Sequence, residues 1–289
     1  MAAAADFPDK AGGRPLVLCA DDYGLAPGVS RGILELVAAG RISAVSCMSL
    51  SRFWPEHAAW LRPLSDRAEV GLHLTLTGLP PLGPMPGLAP DGRLPQLGRL
   101  MRDAYLRRLP LSEIAAELGR QLDAFERHFG RPPAFLDGHQ HVHQLPGVRD
   151  LVLDLYRRRL AGARAWVRCC GEPLPAILRR GIEPLKSAVI ALQGRRLARR
   201  LRAAGIPANG SFRGVYGFAG DYGALFSRFL AGQGARPLIM CHPGHVDAEL
   251  AAVDSVTVQR EVEWRYFRSD SFPTALAAAG YRLAPFAGS

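Results

Sequence analysis

Lysine is nearly missing from this chain. Lys10 and Lys186 are the only two among 289 residues, so a formal net charge of +10 rests on arginine. A basic surplus attracts anionic partners in general, nucleic acid and anionic lipid among them. The signatures that would direct it to nucleic acid are lacking: there is no zinc knuckle, no RRM-like aromatic run and no helix-turn-helix, so no nucleic-acid partner is expected. Cysteine is sparse and scattered. Cys19, Cys47, Cys169, Cys170 and Cys241 are odd in number and form no CxxC pair, which points to reduced, buried thiols in a cytoplasmic protein. No apolar run nears the roughly 20 residues needed to cross a bilayer. Residues 1–14 lack a basic-then-apolar leader and read as a flexible tail.

What remains is globular in composition, with 48% hydrophobic and 21% charged residues. At this length a single β/α barrel over residues 15–289 is accommodated. Continuous apolar runs of strand length alternate with helical patterns. The expected strands are 15–20, 43–50, 69–77, a strand carrying residues 135–143, then 165–169, 206–211, 237–241 and 281–283. Helices are expected at 27–39, 53–61, 111–129, 146–160, 173–202, 222–230, 256–268 and 271–279. That alternation predicts a parallel sheet, either a β/α barrel or an open doubly wound sheet. The Pro/Gly-rich stretch 78–95 is too long for an ordinary connection and reads as a lid or wall, and 171–202 as a second insertion.

The stretch Asp137-Gly138-His139-Gln140-His141-Val142-His143 concentrates three of the eight histidines. On an extended backbone Asp137, His139, His141 and His143 would share one face, as a divalent metal site requires; a solvated His-rich loop is the plainer alternative. Other polar residues also stand where apolar strands end: Asp21 and Asp22, His73, and His242. In β/α barrels those ends share one mouth. Two histidines and a carboxylate can hold a divalent ion with open positions, a second carboxylate can take a proton from water, and a histidine opposite can protonate a leaving amine. Taken singly, each has a structural alternative: Asp21-Asp22 as turn and helix cap, His73 as a satisfied core histidine, and His242 before Pro-Gly as turn chemistry.

At Ala20-Asp21-Asp22-Tyr23-Gly24, Gly71-Leu72-His73-Leu74-Thr75, Leu136-Asp137-Gly138-His139-Gln140-His141-Val142-His143 and Met240-Cys241-His242-Pro243-Gly244 the chain resembles the YdjC-like family of carbohydrate deacetylases, which includes the chitooligosaccharide deacetylases. The resemblance implies a distorted TIM-like β/α barrel of the polysaccharide-deacetylase type. It further implies one divalent ion on Asp22, His73 and His139, with Asp21 as base and His242 as acid. Tyr23, Asp137, His141, His143 and Arg168 are then expected behind the ligands or against substrate. Zinc, magnesium, manganese or nickel would each accept the ligand set. Where the family usually has Ser, this chain has Gly138, which removes a hydroxyl beside His139.

The surroundings of Trp166-Val167-Arg168 resemble the hopanoid-biosynthesis-associated branch, which implies an N-acetylglucosaminyl hopanoid as substrate. In residues 184–202 Leu185, Val189, Leu192 and Leu197 can share an apolar side, with Arg195, Arg196, Arg199, Arg200 and Arg202 supplying charge. Such a helix can lie on the inner face of a membrane, or be an outer barrel helix with a solvated basic face. The expected partner is an N-acetylated sugar or glycolipid; a dimer is compatible. Two other functions fit the same residues: a metal-dependent phosphoesterase, and a non-catalytic membrane-associated metal-binding protein.

Overall fold

An apolar run without polar alternation must be covered on both faces, and Leu16–Ala20 is buried throughout. A computed structural model describes residues 12–286 and places this run in β1 (Arg14–Tyr23). The expected tail lies outside the described residues up to residue 11, and Arg14 already belongs to the strand.

The chain continues through α1 (Pro27–Ala38), β2 (Ala44–Cys47), α2 (Trp54–Leu61), β3 (Glu69–Leu74), α3 (Leu97–Tyr105), α4 (Leu111–Phe129), β4 (Phe135–Gly138) and α5 (Val148–Arg159). It then forms β5 (Trp166–Val167), α6 (Leu174–Arg180), α7 (Pro184–Ala203), β6 (Ser211–Arg213), α8 (Tyr222–Leu230) and β7 (Pro237–Cys241). The last elements are α9 (Ala248–Val253), α10 (Val258–Arg268), α11 (Ser271–Ala278) and β8 (Tyr281–Leu283).

All recorded strand pairings are parallel, in the order β5-β4-β3-β2-β1-β7-β6, with β8 paired to the start of β1. β5 meets the residues just before β6 through a single bridge, Val167–Ala208, where Val167 N donates to Pro207 O at 2.9 Å. The fold is therefore a β/α barrel distorted at that seam, and the open-sheet alternative falls away.

Period-2 alternation sorts the side chains into an outer and an inner set. Leu16, Leu18, Val45, Leu72, Leu136 and Ile239 pack in the core shared with the helices. Val17, Cys19, Ala44, Phe135, Trp166, Phe212, Leu238 and Met240 form a separate cluster inside the barrel. At its centre Phe135 stacks on Trp166 with centroids 4.4 Å apart, and Trp166 on Phe286 at 4.8 Å.

Several expectations change. The segment 173–202 is two helices, broken at Gly181 (φ +65°) and Glu183 (φ +42°). The expected strand 206–211 begins only at Ser211, because the seam leaves the preceding residues a single bridge. Helices α3 and α9 were not expected. The loop 78–95 lies on α4, where Glu113 accepts Gly87 N (2.9 Å) and Leu88 N (3.1 Å), and Glu117 accepts Leu82 N (3.0 Å). No helix among the described residues is long and apolar enough to cross a membrane.

A Cβ added at Gly71 would fall 2.4 Å from three Phe135 ring carbons, whereas one at Gly119 in α4 meets nothing within 4 Å. Urea unfolding should therefore show Gly71→Ala less stable by about 1–3 kcal/mol. Gly119→Ala should be more stable by about 0.5–1 kcal/mol. Equal stability of Gly71→Ala and the natural chain would contradict the packing of Phe135 across β3.

Candidate active site

The inner series does not stop where the apolar residues stop. Two residues past Cys19, Ala44, Gly71, Phe135, Trp166 and Met240 come Asp21, Ser46, His73, Asp137, Arg168 and His242. The same alternation that fills the barrel thus delivers six polar side chains to its C-terminal mouth.

Asp22 would be expected to face outward. It does not, because the β1–β2 register shifts between Ala20 and Tyr23 and Asp22 takes φ +69°. A non-glycine residue in that region costs on the order of 1–3 kcal/mol, and here the bend brings adjacent carboxylates into one mouth. The bend is anchored from behind. The Tyr23 hydroxyl donates to His57 O at 2.7 Å, and Ser30 Oγ accepts Gly24 N at 2.9 Å while lying 2.8 Å from His57 Nδ1. Tyr23 is fully buried in the helix-side core and does not line the cavity, so of the two expected places it takes the one behind Asp22 and not the one against substrate.

Asp22 Oδ1 lies 3.3 Å from His73 Nε2 and 2.9 Å from His139 Nδ1. The three residues each offer a donor atom within 4.8 Å of the others. His73 is held from behind, where its Nδ1 donates to Asp137 Oδ1 at 2.7 Å and stands 2.8 Å from Ser46 Oγ, leaving Nε2 to face Asp22. A carboxylate behind an imidazole fixes its tautomer and raises its basicity as a ligand. Burial alone would depress the His73 pKa, but Asp137, Asp21 and Asp22 together carry it up to about 10. Burial opposes the charge on Asp22, yet His139 and Arg260 hold it well below the usual carboxylate range.

These residues fit a divalent ion. Donors on a tetrahedral ion with bonds of about 2.0–2.1 Å stand roughly 3.3 Å apart, close to the spacing of Asp22 and His73. Arg260 reaches only the other oxygen, Asp22 Oδ2, at 2.7 Å, and also Asp254 at 2.6 Å. Four carboxylates, Asp21, Asp22, Asp137 and Asp254, thus face two guanidiniums, Arg168 and Arg260, and a divalent cation would balance them.

Asp21 is held apart from this donor set. Arg168, fully buried, grips both its oxygens at 2.6 Å and stands 2.7 Å from Asp137 Oδ2. Burial would raise the Asp137 pKa, but Arg168 and His73 outweigh it and keep the group ionised.

The expected extended histidine array is not formed. β4 ends at Gly138, and His139–Gln144 wind into a 3₁₀ turn with Gln140 at φ +52° and His141 at φ +62°. The turn disperses the face that an extended strand would have aligned. His139 meets Asp22, and His141 lines the cavity with Nδ1 3.6 Å from Cys170 Sγ. His143 is buried behind, with Nε2 donating to Arg168 O at 3.0 Å. Glycine at 138 suits this arrangement, since a Cβ there would come within 3.0 Å of His143 N and Nδ1.

His242, expected opposite, instead stands beside Asp21, because β7 pairs with β1 at Ala20 and Cys241 and both chains then enter the mouth. Its backbone N donates to Glu263 Oε2 at 2.6 Å, Phe218 meets its ring edge-on at 5.2 Å, and its Nδ1 is buried without a protein partner. Burial pushes its pKa down to about 4, against the pull of Asp22 and Asp21. Glu263 also accepts from the Tyr216 hydroxyl, and burial lifts its own pKa to about 7. Asp21, Asp22, His73, His139 and His242 line one cavity of about 570 Å³. Sequence reasoning missed Ser46, Asp254, Arg260 and Glu263. The inward position of Ser46, two residues past Ala44, could have been read from strand alternation. The other three stand on or before α10, and no motif there marks them.

The YdjC-like protein family model matches residues 15–278. The chitooligosaccharide deacetylase of Serratia marcescens is 33% identical over 278 residues, covering 94% of this chain and 97% of that protein. That of Klebsiella pneumoniae (strain 342) is 30% identical over 283 residues, covering 94% and 98%. A solved structure of a candidate cellobiose-phosphate cleavage protein from Enterococcus faecalis superposes with a TM-score of 0.73 at 20% identity, over 96% of this chain and 98% of that one, a likeness of fold. With the family match spanning nearly all of the barrel, the chain belongs to the YdjC-like protein family.

Proposed function

We propose that the protein is a metal-dependent hydrolase that removes the N-acetyl group from an N-acetylated amino sugar. One observation carries this reading: beside the donor set Asp22, His73 and His139, a second carboxylate, Asp21, is held clear of it by Arg168, with an imidazole, His242, at the neighbouring end of β7 in the same cavity. The relatives named chitooligosaccharide deacetylases support the same chemistry.

A divalent ion bound there would supply a Lewis acid for the amide oxygen and lower the pKa of a water molecule. Asp21 takes one proton from the attacking water, whose oxygen adds to the acetyl carbon. The bidentate grip of Arg168 fixes the direction in which that carboxylate points. When the C–N bond breaks, His242 gives a proton to the nitrogen, and acetate and the free amine leave. Burial favours neutral His242, so the proton it delivers is one gained during turnover.

The phosphoesterase alternative calls for two ions roughly 3.5–4 Å apart. Cys19, Asp21 and Asp137 do form a second cluster of donors, but the Arg168 guanidinium already lies against all three. That favours one ion. A mere metal store would have no use for a buried carboxylate set apart from the donors.

For the substrate we propose the N-acetylglucosaminyl head group of a hopanoid, met at a membrane surface. Leu185 and Val189, at the cavity rim, are 79% and 42% exposed, and Leu192 beside them is 47% exposed. Leu197, expected on the same apolar side, instead turns into the core. The basic face is thinner than expected, since Arg195 donates to Glu172 O and Arg200 pairs with Asp150.

Acetate release should be measured on N,N′-diacetylchitobiose, N-acetylglucosamine and an N-acetylglucosaminyl hopanoid, each with and without chelator. The reading expects chelator-sensitive release with the highest kcat/KM on the hopanoid. Release from soluble sugars alone would discard the lipid, and no release from any would overturn the deacetylase. Asp21→Asn should lower kcat by about 10²–10⁴-fold. His242→Ala should lose a similar factor on the amide but little on p-nitrophenyl acetate, whose phenolate leaves unprotonated. Equal losses on both would remove His242 from the acid role.

A further inference from the structure

We propose that Gln193 on α7 and Gln144, at the end of the 139–144 turn, form a subsite that reads hydroxyl groups of the substrate. The inference rests on the deacetylase reading for the identity of that substrate, and on the residues below for the subsite itself.

Both side chains line the same cavity as Asp22, His73, His139 and His242. Gln193 is 4% exposed, yet neither Oε1 nor Nε2 has a protein hydrogen-bond partner. Gln144 is fully buried; its Oε1 accepts Cys170 N at 3.0 Å while its Nε2 has no protein partner. Leaving a buried polar group unpaired costs about 1–3 kcal/mol, and native proteins pair the large majority of such groups. Both Gln193 amide atoms lie just beneath the cavity wall that the residue lines, with almost no accessible surface, and a turn of the side chain that breaks no protein hydrogen bond would present them to a ligand there.

The setting is built for position. A Cβ at Gly194 would fall 2.2 Å from Gly171 N, so α7 lies directly on the Cys170–Gly171 backbone. Gln144 is tied to the same backbone through Cys170 N. The two amides are thus carried on elements locked to one short segment. Around them the wall is apolar, with Val189, Ile190 and Val215. In such a cavity a few polar groups fix ligand orientation.

The chemistry selects the ligand class. The pair offers N–H donors together with one acceptor oxygen. A carboxylate or phosphate would leave Gln193 Oε1 unmatched, and an ammonium would leave both Nε2 groups unmatched. A hydroxyl both donates and accepts, and neighbouring ring hydroxyls match the set. Substrate choice would then reside in the 171–202 segment, while bond cleavage resides on the strand ends.

Gln193→Leu tests this, with thermal unfolding, calorimetric binding of N,N′-diacetylchitobiose and its monodeoxy analogues, and acetate release. Without ligand the variant should melt no lower than the natural chain, because no fold contact is lost. Kd and KM should rise about tenfold or more, the loss of one hydrogen bond, with kcat changed less than about twofold. One deoxy analogue should bind both proteins alike. Unchanged affinity for every ligand, a lowered melting temperature without ligand, or no binding by the natural chain would overturn the subsite. Gln193-dependent binding without any acetate release would keep the subsite and overturn the deacetylase.

Discussion

The guanidinium of Arg168, buried completely at the mouth of the barrel, is the interaction on which the site depends. Asp21 and Asp137 approach each other from different strands, and without a cation between them their charges would repel in a low-dielectric setting. Removing one partner from such a buried set costs roughly 3–5 kcal/mol, because the remaining charges stay buried. Order propagates from Arg168. Asp137, fixed on one side by the guanidinium, fixes His73 on the other. His73 then turns Nε2 toward Asp22, whose second oxygen is held by Arg260. Every link comes from a different strand end or helix, so the site exists only once the barrel has closed.

Regular strands alone would not have sufficed. Alternation supplies Asp21, His73, Asp137 and, two residues further on, His139, but not Asp22. Two local departures complete the site: the left-handed backbone at Asp22, which turns its carboxylate inward, and the turn through Gln140 and His141, which takes His141 and His143 out of the row that His139 would otherwise begin. Strain of this kind persists where surrounding packing enforces it. Here the Tyr23–His57–Ser30 contacts enforce the first, and the burial of Val142 and His143 enforces the second.

Much of this was legible from the residues. Parallel strands could be read from the apolar runs, the shared mouth from polar residues at their ends, and Asp21, Asp22, His73, His139 and His242 from position and motif together. What was hidden follows from physics that periodicity does not encode. A bulge reverses the facing of Tyr23, and a turn disperses a histidine array that alternation would have aligned. Arg260 and Glu263 reach the mouth by tertiary packing of α10, from a stretch with no distinguishing pattern. The basic surplus marks α7 as a surface, yet its inward face, through Ile190 and Gln193, is what shapes the cavity.

The central claim is that Asp22, His73 and His139 hold a single divalent ion while Asp21 stays free of it. Elemental mass spectrometry on protein reconstituted with zinc or nickel and then dialysed tests it most directly. One ion per chain in the natural protein and in Asp21→Asn, and none in His73→Ala, is the predicted result. Two ions per chain, or an ion retained by His73→Ala, would contradict it.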